Sequence, residues 1–277
     1  MLLLVQKKII ENMTLPKLKN LPHIYYFNLD NRIDRKNYME GQFKKWGIEK
    51  YTRVSGSKYL ASNVNEWKHL IRGNHKNLMP HCAGNSITHL EFMKKWLKYT
   101  NDPYMIIMED DYDLEIIEYW HFTWDYLMMR IPYDWDCVQL GYESMEKICF
   151  FLHPKMRTSF FGPCLINRNY VEKLINLHSV KGGYIFNNPV GDNMFRQSPV
   201  TVDYFIGHTG KTYCLPLITT NIDLGSTEYD IKIKRDYHEK SRDAYYKWWR
   251  SQRDQFSLNE FFTYGKENDF LMTVNLY

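Results

Sequence analysis

Short apolar blocks alternate with polar, helix-patterned stretches along this chain, and that rhythm sets the fold class. Residues 23–29, HIYYFNL, form a continuous apolar run of strand length, the pattern of a strand covered on both faces. DNRIDRKNYMEGQFKKW follows, and its spacing predicts a helix with Ile33, Tyr38, Phe43 and Trp46 on one face. Asp30 or Asn31 would cap that helix and Gly47 would end it. Residues 48–57, IEKYTRVSGS, read as a second short strand with a turn. A β–α–β opening of this kind predicts an α/β fold with a mostly parallel central sheet.

Residues 58–83 lack a period and are expected to line or support a site. Residues 83–99 predict a helix buried through Ile87, Leu90, Met93 and Leu97. Further strands are expected at 104–108, 134–142, 159–168 and 211–218, with a helix at 169–178 capped by Asn169. Gly182, Gly183, Pro189 and Gly191 mark a loop around Asp192. From Tyr229 onward basic residues interleave with Tyr245, Tyr246, Trp248 and Trp249. This predicts a helix docked by its aromatic face, or one that meets a membrane surface or an acceptor. The expected organisation is a lead-in at 1–22, a catalytic domain at 23–228 and a helical extension at 229–277.

The candidate chemistry sits at the end of the 104–108 run. PYMIIMEDDYDL passes from five apolar residues into Glu109, Asp110, Asp111 and Asp113. Open α/β sheets bind ligands at the carboxyl ends of their strands. Clustered carboxylates there repel one another unless a cation joins them, and Mg²⁺ or Mn²⁺ prefers oxygen ligands. A nucleotide diphosphate would share that ion. The alternative is solvated loop charge, or charge that favours a following helix N-terminus.

Composition narrows the classes. The net charge of +4 is too mild to imply nucleic acid by itself, yet suits an anionic nucleotide or surface. Five widely spaced cysteines show no zinc or redox pairing, which is the pattern of a reducing compartment. The N-terminal apolar run stops at Val5, ahead of its charges, unlike a signal peptide. The expectation is a soluble cytoplasmic protein whose membrane contact is peripheral at most. No G-x-G-x-x-G supports a nicotinamide or flavin cofactor, and no P-loop or G-x-S-x-G element supports phosphotransfer or hydrolysis.

The ordered landmarks resemble glycosyltransferase family 25, which holds lipooligosaccharide and collagen galactosyltransferases. Phe27-Asn28-Leu29-Asp30 with Asp34-Arg35 matches that family's opening strand. Val54-Ser55-Gly56, Gly84 through Leu90, Met108 through Asp111, Trp135-Asp136 through Leu140-Gly141, Gly162 through Leu174, and Pro189 through Asp192 follow in the family's order. The match spans residues 23–226. It departs where Asn85 and Thr88 replace a Cys and a Ser, and where Gly191 separates Pro189-Val190 from Asp192.

The resemblance implies a type A glycosyltransferase (Rossmann-like) fold and transfer of a hexose from UDP-galactose or UDP-glucose, with inversion. It implies Mn²⁺ or Mg²⁺ held by Asp111, with Glu109 or Asp113 as second ligand and His208 or His238 as a late one. Asn28, Leu29, Asp30, Arg35, Gly56, His89 and Asp110 become candidates for the donor. Arg35 would pair with phosphate, or only with Asp34 and the helix surface. His89 would otherwise be a structural hydrogen-bonder. Asp192 becomes the general base, or else the cap of a short helix. The acceptor would be a glycan, glycolipid, protein hydroxyl or hydroxymethylated nucleic-acid base. A catalytically silent nucleotide-sugar or glycan-binding protein is the competing expectation.

Overall fold

The computed structural model describes residues 17–73, 79–144, 146–156, 162–186, 201–225, 231–251, 256–263 and 273–276. Its centre is a seven-stranded mixed sheet. The strands are β1 (Ile24–Asn28), β2 (Tyr51–Ser55), β3 (Tyr104–Glu109), β5 (Cys137–Gln139), β6 (His153–Pro154), β7 (Cys164–Asn167) and β8 (Thr212–Cys214). Their order is β2-β1-β3-β7-β5-β8-β6. The β2-β1-β3 and β5-β8 pairings are parallel; β7 runs antiparallel between β3 and β5, and β6 is an antiparallel edge. A separate short strand, β4 (Tyr112–Asp113), pairs antiparallel with β9 (Thr219–Thr220).

Alternate residues along each strand enter different cores, as the two-residue period demands. Ile24, Tyr26, Ile106, Met108, Val138 and Leu165 enter one. Tyr25, Phe27, Met105, Ile107, Cys137 and Ile166 enter the other. Helix α1 (Ile33–Lys45) covers the first side with Met39 and Phe43, together with α5 (Ile231–Ser251) through Tyr245, Trp248 and Trp249. Helices α2 (Pro80–Tyr99), α3 (Arg168–His178) and the short α4 (Val202–Gly207) cover the second through Leu90, Met93, Trp96, Val171, Leu174 and Phe205. Burial on both faces explains why the central strands read as unbroken apolar runs rather than alternations.

Several sequence expectations shift. The buried face of α1 is Arg35, Met39, Gln42 and Phe43, whereas Ile33 is 62% exposed. Arg32, not Asp30 or Asn31, occupies the N-cap, without a side-chain bond. Helix α3 is capped by Asn167, two residues before Asn169, and its side chain accepts from the Tyr170 N–H; the strand before it ends at Asn167, one residue earlier than expected. The aromatic positions of α5 are core, so that helix docks by its aromatic face. No helix among the described residues is long and apolar enough to cross a membrane.

Glycines decide how closely several segments approach. A Cβ at Gly84 would lie 1.9 Å from the Tyr59 carbonyl oxygen, and one at Gly141 would lie 2.0 Å from that of Ile218. Gly41, in α1, has nothing within 4 Å of such a Cβ. Gly141→Ala should therefore lower the unfolding free energy by about 3 kcal/mol, since backbone would have to move. Gly41→Ala should raise it by roughly 0.5–1 kcal/mol, the gain of alanine inside a helix. Urea unfolding of the two variants checks both signs, and a neutral Gly141→Ala would contradict the close approach.

Candidate functional site

The chain passes from β1 through α1 to β2 on one side, and β3 lies on the other side of β1. Strand order thus reverses between β1 and β3, where open α/β sheets form their ligand crevice. Phe27 is level with Glu109, so Asn28 and Asp110 come next on the two walls. Their side chains meet: the Asn28 amide donates to Asp110 Oδ2 at 2.6 Å.

Arg35 reaches this point from the first turn of α1. Its Nη1 lies 2.6 Å from Asp110 Oδ1 and 3.2 Å from Asp111 Oδ2, and its Nη2 donates to the Gly225 carbonyl. Arg35 Nε has no partner among the described residues. Arg35 and Asp110 are both nearly sealed, at 6% and 5% exposure. Burial works against the Arg35 charge, but the carboxylates of Asp111, Asp110 and Glu109 override it and raise the guanidinium pKa. A sealed pair of this kind is held by geometry rather than by net gain. Asp110 therefore organises the crevice floor, with both oxygens engaged.

Asp111 differs. Its side chain keeps 23% of its surface. Burial pushes its carboxyl above the ordinary carboxylate range; Arg35 opposes that, Asp110 and Glu143 add to it, and His238 opposes it. Negative charge here is not fully compensated, and a cation would relieve it. Among the described residues no group of three or more His, Cys, Asp or Glu side chains is arranged to hold a metal alone. Ions such as Mg²⁺ commonly take one or two carboxylates and fill the remaining positions with phosphate and water. The donor set at Asp111 fits a shared ion of that type.

The other candidates separate. Glu109 Oε1 accepts from the Asn85 amide at 2.9 Å, on the α2 side. Asp113 has both oxygens bonded, to Tyr246 Oη at 2.7 Å and to the Glu115 N–H at 2.8 Å, and joins β4 to α5. His89 is core: its ring stacks on Phe27 at 3.8 Å, its Nδ1 donates to the Asn85 carbonyl at 3.0 Å, and burial pushes its pKa down to about 4. That is the structural hydrogen-bonder rather than a surface offered to a donor. Asp30, exposed beyond β1, pairs with Arg53 and accepts from Ser55 Oγ at 2.9 Å. Leu29 lies against Gly56, whose N–H donates to the Asn28 carbonyl at 3.0 Å.

His208 lies just ahead of β8. The neighbouring Lys211 N–H donates to Asp136 at 2.9 Å, before the start of β5. That contact lies at the amino edge of the parallel strands, whereas Gly207, on the other side of His208, packs against the Lys155 side chain. Asp192 lies outside the described residues.

Glu143 was missed, although the rule that singled out Glu109–Asp111 reaches it. It follows the apolar strand at 134–142, beyond the carboxyl end of β5. Its Oε1 is 2.5 Å from His238 Nδ1 and accepts from Thr220 Oγ1. No local pattern joins Glu143 to His238, because they lie far apart in sequence.

Arg35→Met should cost roughly 3–5 kcal/mol, the penalty for stranding a buried charge, and adding Asp110→Asn should restore part of it. A loss below about 1 kcal/mol, the scale of an ordinary substitution, would remove Arg35 from this central place. Asp111 makes a pH prediction of definite sign. Its folded carboxyl binds a proton more tightly than the unfolded one, so its contribution is present in acid and lost as pH rises through the raised value. Without divalent cations, melting temperatures of Asp111→Asn and wild type should diverge in the variant's favour from about pH 4 upward. Parallel curves would contradict the uncompensated charge.

No family model matches the sequence, and no curated protein matches it. Among solved structures, the A197 protein from STIV is 13% identical, with 72% of this chain and 84% of that chain covered and a TM-score of 0.38. HddC from Yersinia pseudotuberculosis, complexed with GMP-PN, is 10% identical, with 81% of this chain and 100% of that chain covered and a TM-score of 0.34. Similarities of this size carry no argument about fold or function, which rest here on the geometry.

Proposed function

We propose that this chain is a type A glycosyltransferase that moves a hexose from a UDP-sugar, UDP-galactose or UDP-glucose, to an acceptor hydroxyl with inversion. The observation that carries this reading is the acidic run Glu109–Asp111 at the carboxyl end of β3, beside the reversal of strand order. The resemblance of the ordered landmarks supports it. A strand end in that position is where a nucleotide meets an open α/β sheet.

Asp111 is the side chain we assign to Mn²⁺ or Mg²⁺, with Glu109 or Asp113 as the second ligand. When bound, the ion offsets the charge that collects on the diphosphate as the sugar–phosphate bond breaks. Arg35 fixes one Asp111 oxygen. Asp30, Leu29 and Gly56 at the ends of β1 and β2 form the surface we assign to the nucleoside. The acceptor class is proposed only as a hydroxyl carried on a glycan, glycolipid, protein or hydroxymethylated base.

The test is a panel of UDP-sugars incubated with Mn²⁺ and mixed acceptors, read by UDP release and by the mass of the products. Asp111→Asn should abolish transfer while the protein stays folded. Chelation should reproduce the loss, and Mn²⁺ should reverse it for the wild type. Undiminished transfer by Asp111→Asn would overturn the assignment. Binding of a UDP-sugar without turnover across the panel would favour a silent binding protein.

A further inference from the structure

Transfer with inversion needs a group to take the acceptor's proton, and the described carboxylates differ in how much of that capacity is already committed. Asp110 has both oxygens engaged by Arg35 and Asn28. Asp113 has both engaged by Tyr246 and the Glu115 N–H. Asp111 shares Arg35 and is the carboxylate assigned to the ion. Glu143 is arranged otherwise. Both of its hydrogen bonds fall on Oε1, from His238 and Thr220. Among the described residues none falls on Oε2, and 12% of the side chain is exposed.

The segment that carries Glu143 is fixed from both ends. Leu217 and Ile218 N–H groups donate to the Leu140 carbonyl, each at 2.8 Å, and Gly141 packs on the Ile218 carbonyl. Tyr245 Oη donates to the Tyr142 carbonyl and accepts from the Tyr142 N–H, each at 3.0 Å. Ser241 Oγ accepts from the Ser144 N–H at 3.3 Å. His238, Ser241 and Tyr245 fall three and then four residues apart, one face of α5. The face that grips the backbone on either side of Glu143 therefore also brings the imidazole to its carboxylate. That helix is anchored in turn by Trp248 stacked on Phe150 at 4.6 Å and by Trp249 Nε1 donating to the Pro216 carbonyl at 2.9 Å.

We propose that Glu143 is the general base of the transfer and that His238 is its positioning residue. This rests on the glycosyltransferase reading above. The acceptor oxygen forms a bond to the anomeric carbon, and the bond from that carbon to the diphosphate oxygen breaks. The electron pair of the broken bond leaves on the diphosphate. The hydroxyl proton passes to Glu143 Oε2. His238 and Thr220 hold Oε1, so that the second oxygen stays oriented toward the acceptor. Pre-set geometry of this sort is what a base needs before its basicity matters.

The test measures single-turnover transfer and UDP-sugar affinity with the donor and acceptor that support wild-type turnover in the panel. Glu143→Gln should slow transfer by roughly 10²-fold or more with donor affinity and melting temperature unchanged. If Glu143→Gln does not fold, Glu143→Asp, which keeps the charge but withdraws it by one methylene, should show the same split. His238→Ala should slow transfer and His238→Asn, which retains a donor near the Nδ1 position, should recover much of it. The double variant Glu143→Gln/His238→Ala should be no slower than Glu143→Gln alone, because the two act as a unit. Normal transfer by Glu143→Gln, or a large loss confined to Asp192→Asn, would overturn the proposal and return the role to Asp192. A wild type that turns over no UDP-sugar would overturn the glycosyltransferase reading itself, a result distinct from either.

Discussion

The contact between Arg35 and Asp110 is the constraint on which the rest of this site depends. It places a guanidinium and a carboxylate out of water where strand order reverses, next to a second carboxylate that cannot share the same sealed environment. Removing two charges from water costs several kcal/mol per ion, and mutual attraction repays this only when every remaining donor and acceptor is satisfied. Asp110 meets that condition through Asn28. Arg35 comes close to it through Asp111 and the Gly225 carbonyl, with Nε left over. The pair therefore specifies position more than it stabilises. It ties β1, α1, the end of β3 and the segment at Gly225 to one point, and it decides that Asp111 faces outward with charge to spare.

The second constraint is α5. Its aromatic residues look like a binding surface when read as composition, but Tyr245, Trp248 and Trp249 are core. A helix with so much buried aromatic area cannot slide or roll without opening the core. Its polar residues on the same side are then held in register with the loop after β5. Trp and Tyr thus act on the site at a distance, by fixing the rotation that brings Ser241 to Ser144 and His238 to Glu143.

The main strands were legible because burial on both faces leaves an apolar run that needs no tertiary information to recognise. The acidic run after β3 was legible for the same reason: its position follows from the strand before it. What could not be read depends on partners far away in sequence. Arg35 was visible as a cation near the crevice, but its choice between a phosphate, Asp34 and the crevice floor is set by β3, more than seventy residues later. On α1 the expected Tyr38, Phe43 and Trp46 do meet the core, while Ile33 is exposed and Arg35 is buried beside Asp110. For His89 the structural alternative holds, and tertiary placement decides it. Stacking on Phe27 and near-complete burial make it a core residue.

A cluster of like charges at one strand end cannot remain a set of equivalent groups. Each carboxylate lowers the tendency of its neighbours to ionise, so the fold must differentiate them or lose them to protonation. Here differentiation follows the pleat and the elements that each side chain meets. Glu109 turns to an amide on α2, Asp110 to the guanidinium of α1, and Asp113 to a phenol of α5. Asp111 lies between these neighbours with part of its side chain exposed and its charge opposed by Arg35. Glu143, arriving from a different strand, adds negative charge at Asp111 and brings an imidazole with it. The acidic signature visible in the sequence is thus mostly scaffold. The chemistry proposed above rests on Asp111 and on Glu143, a carboxylate that the signature did not include.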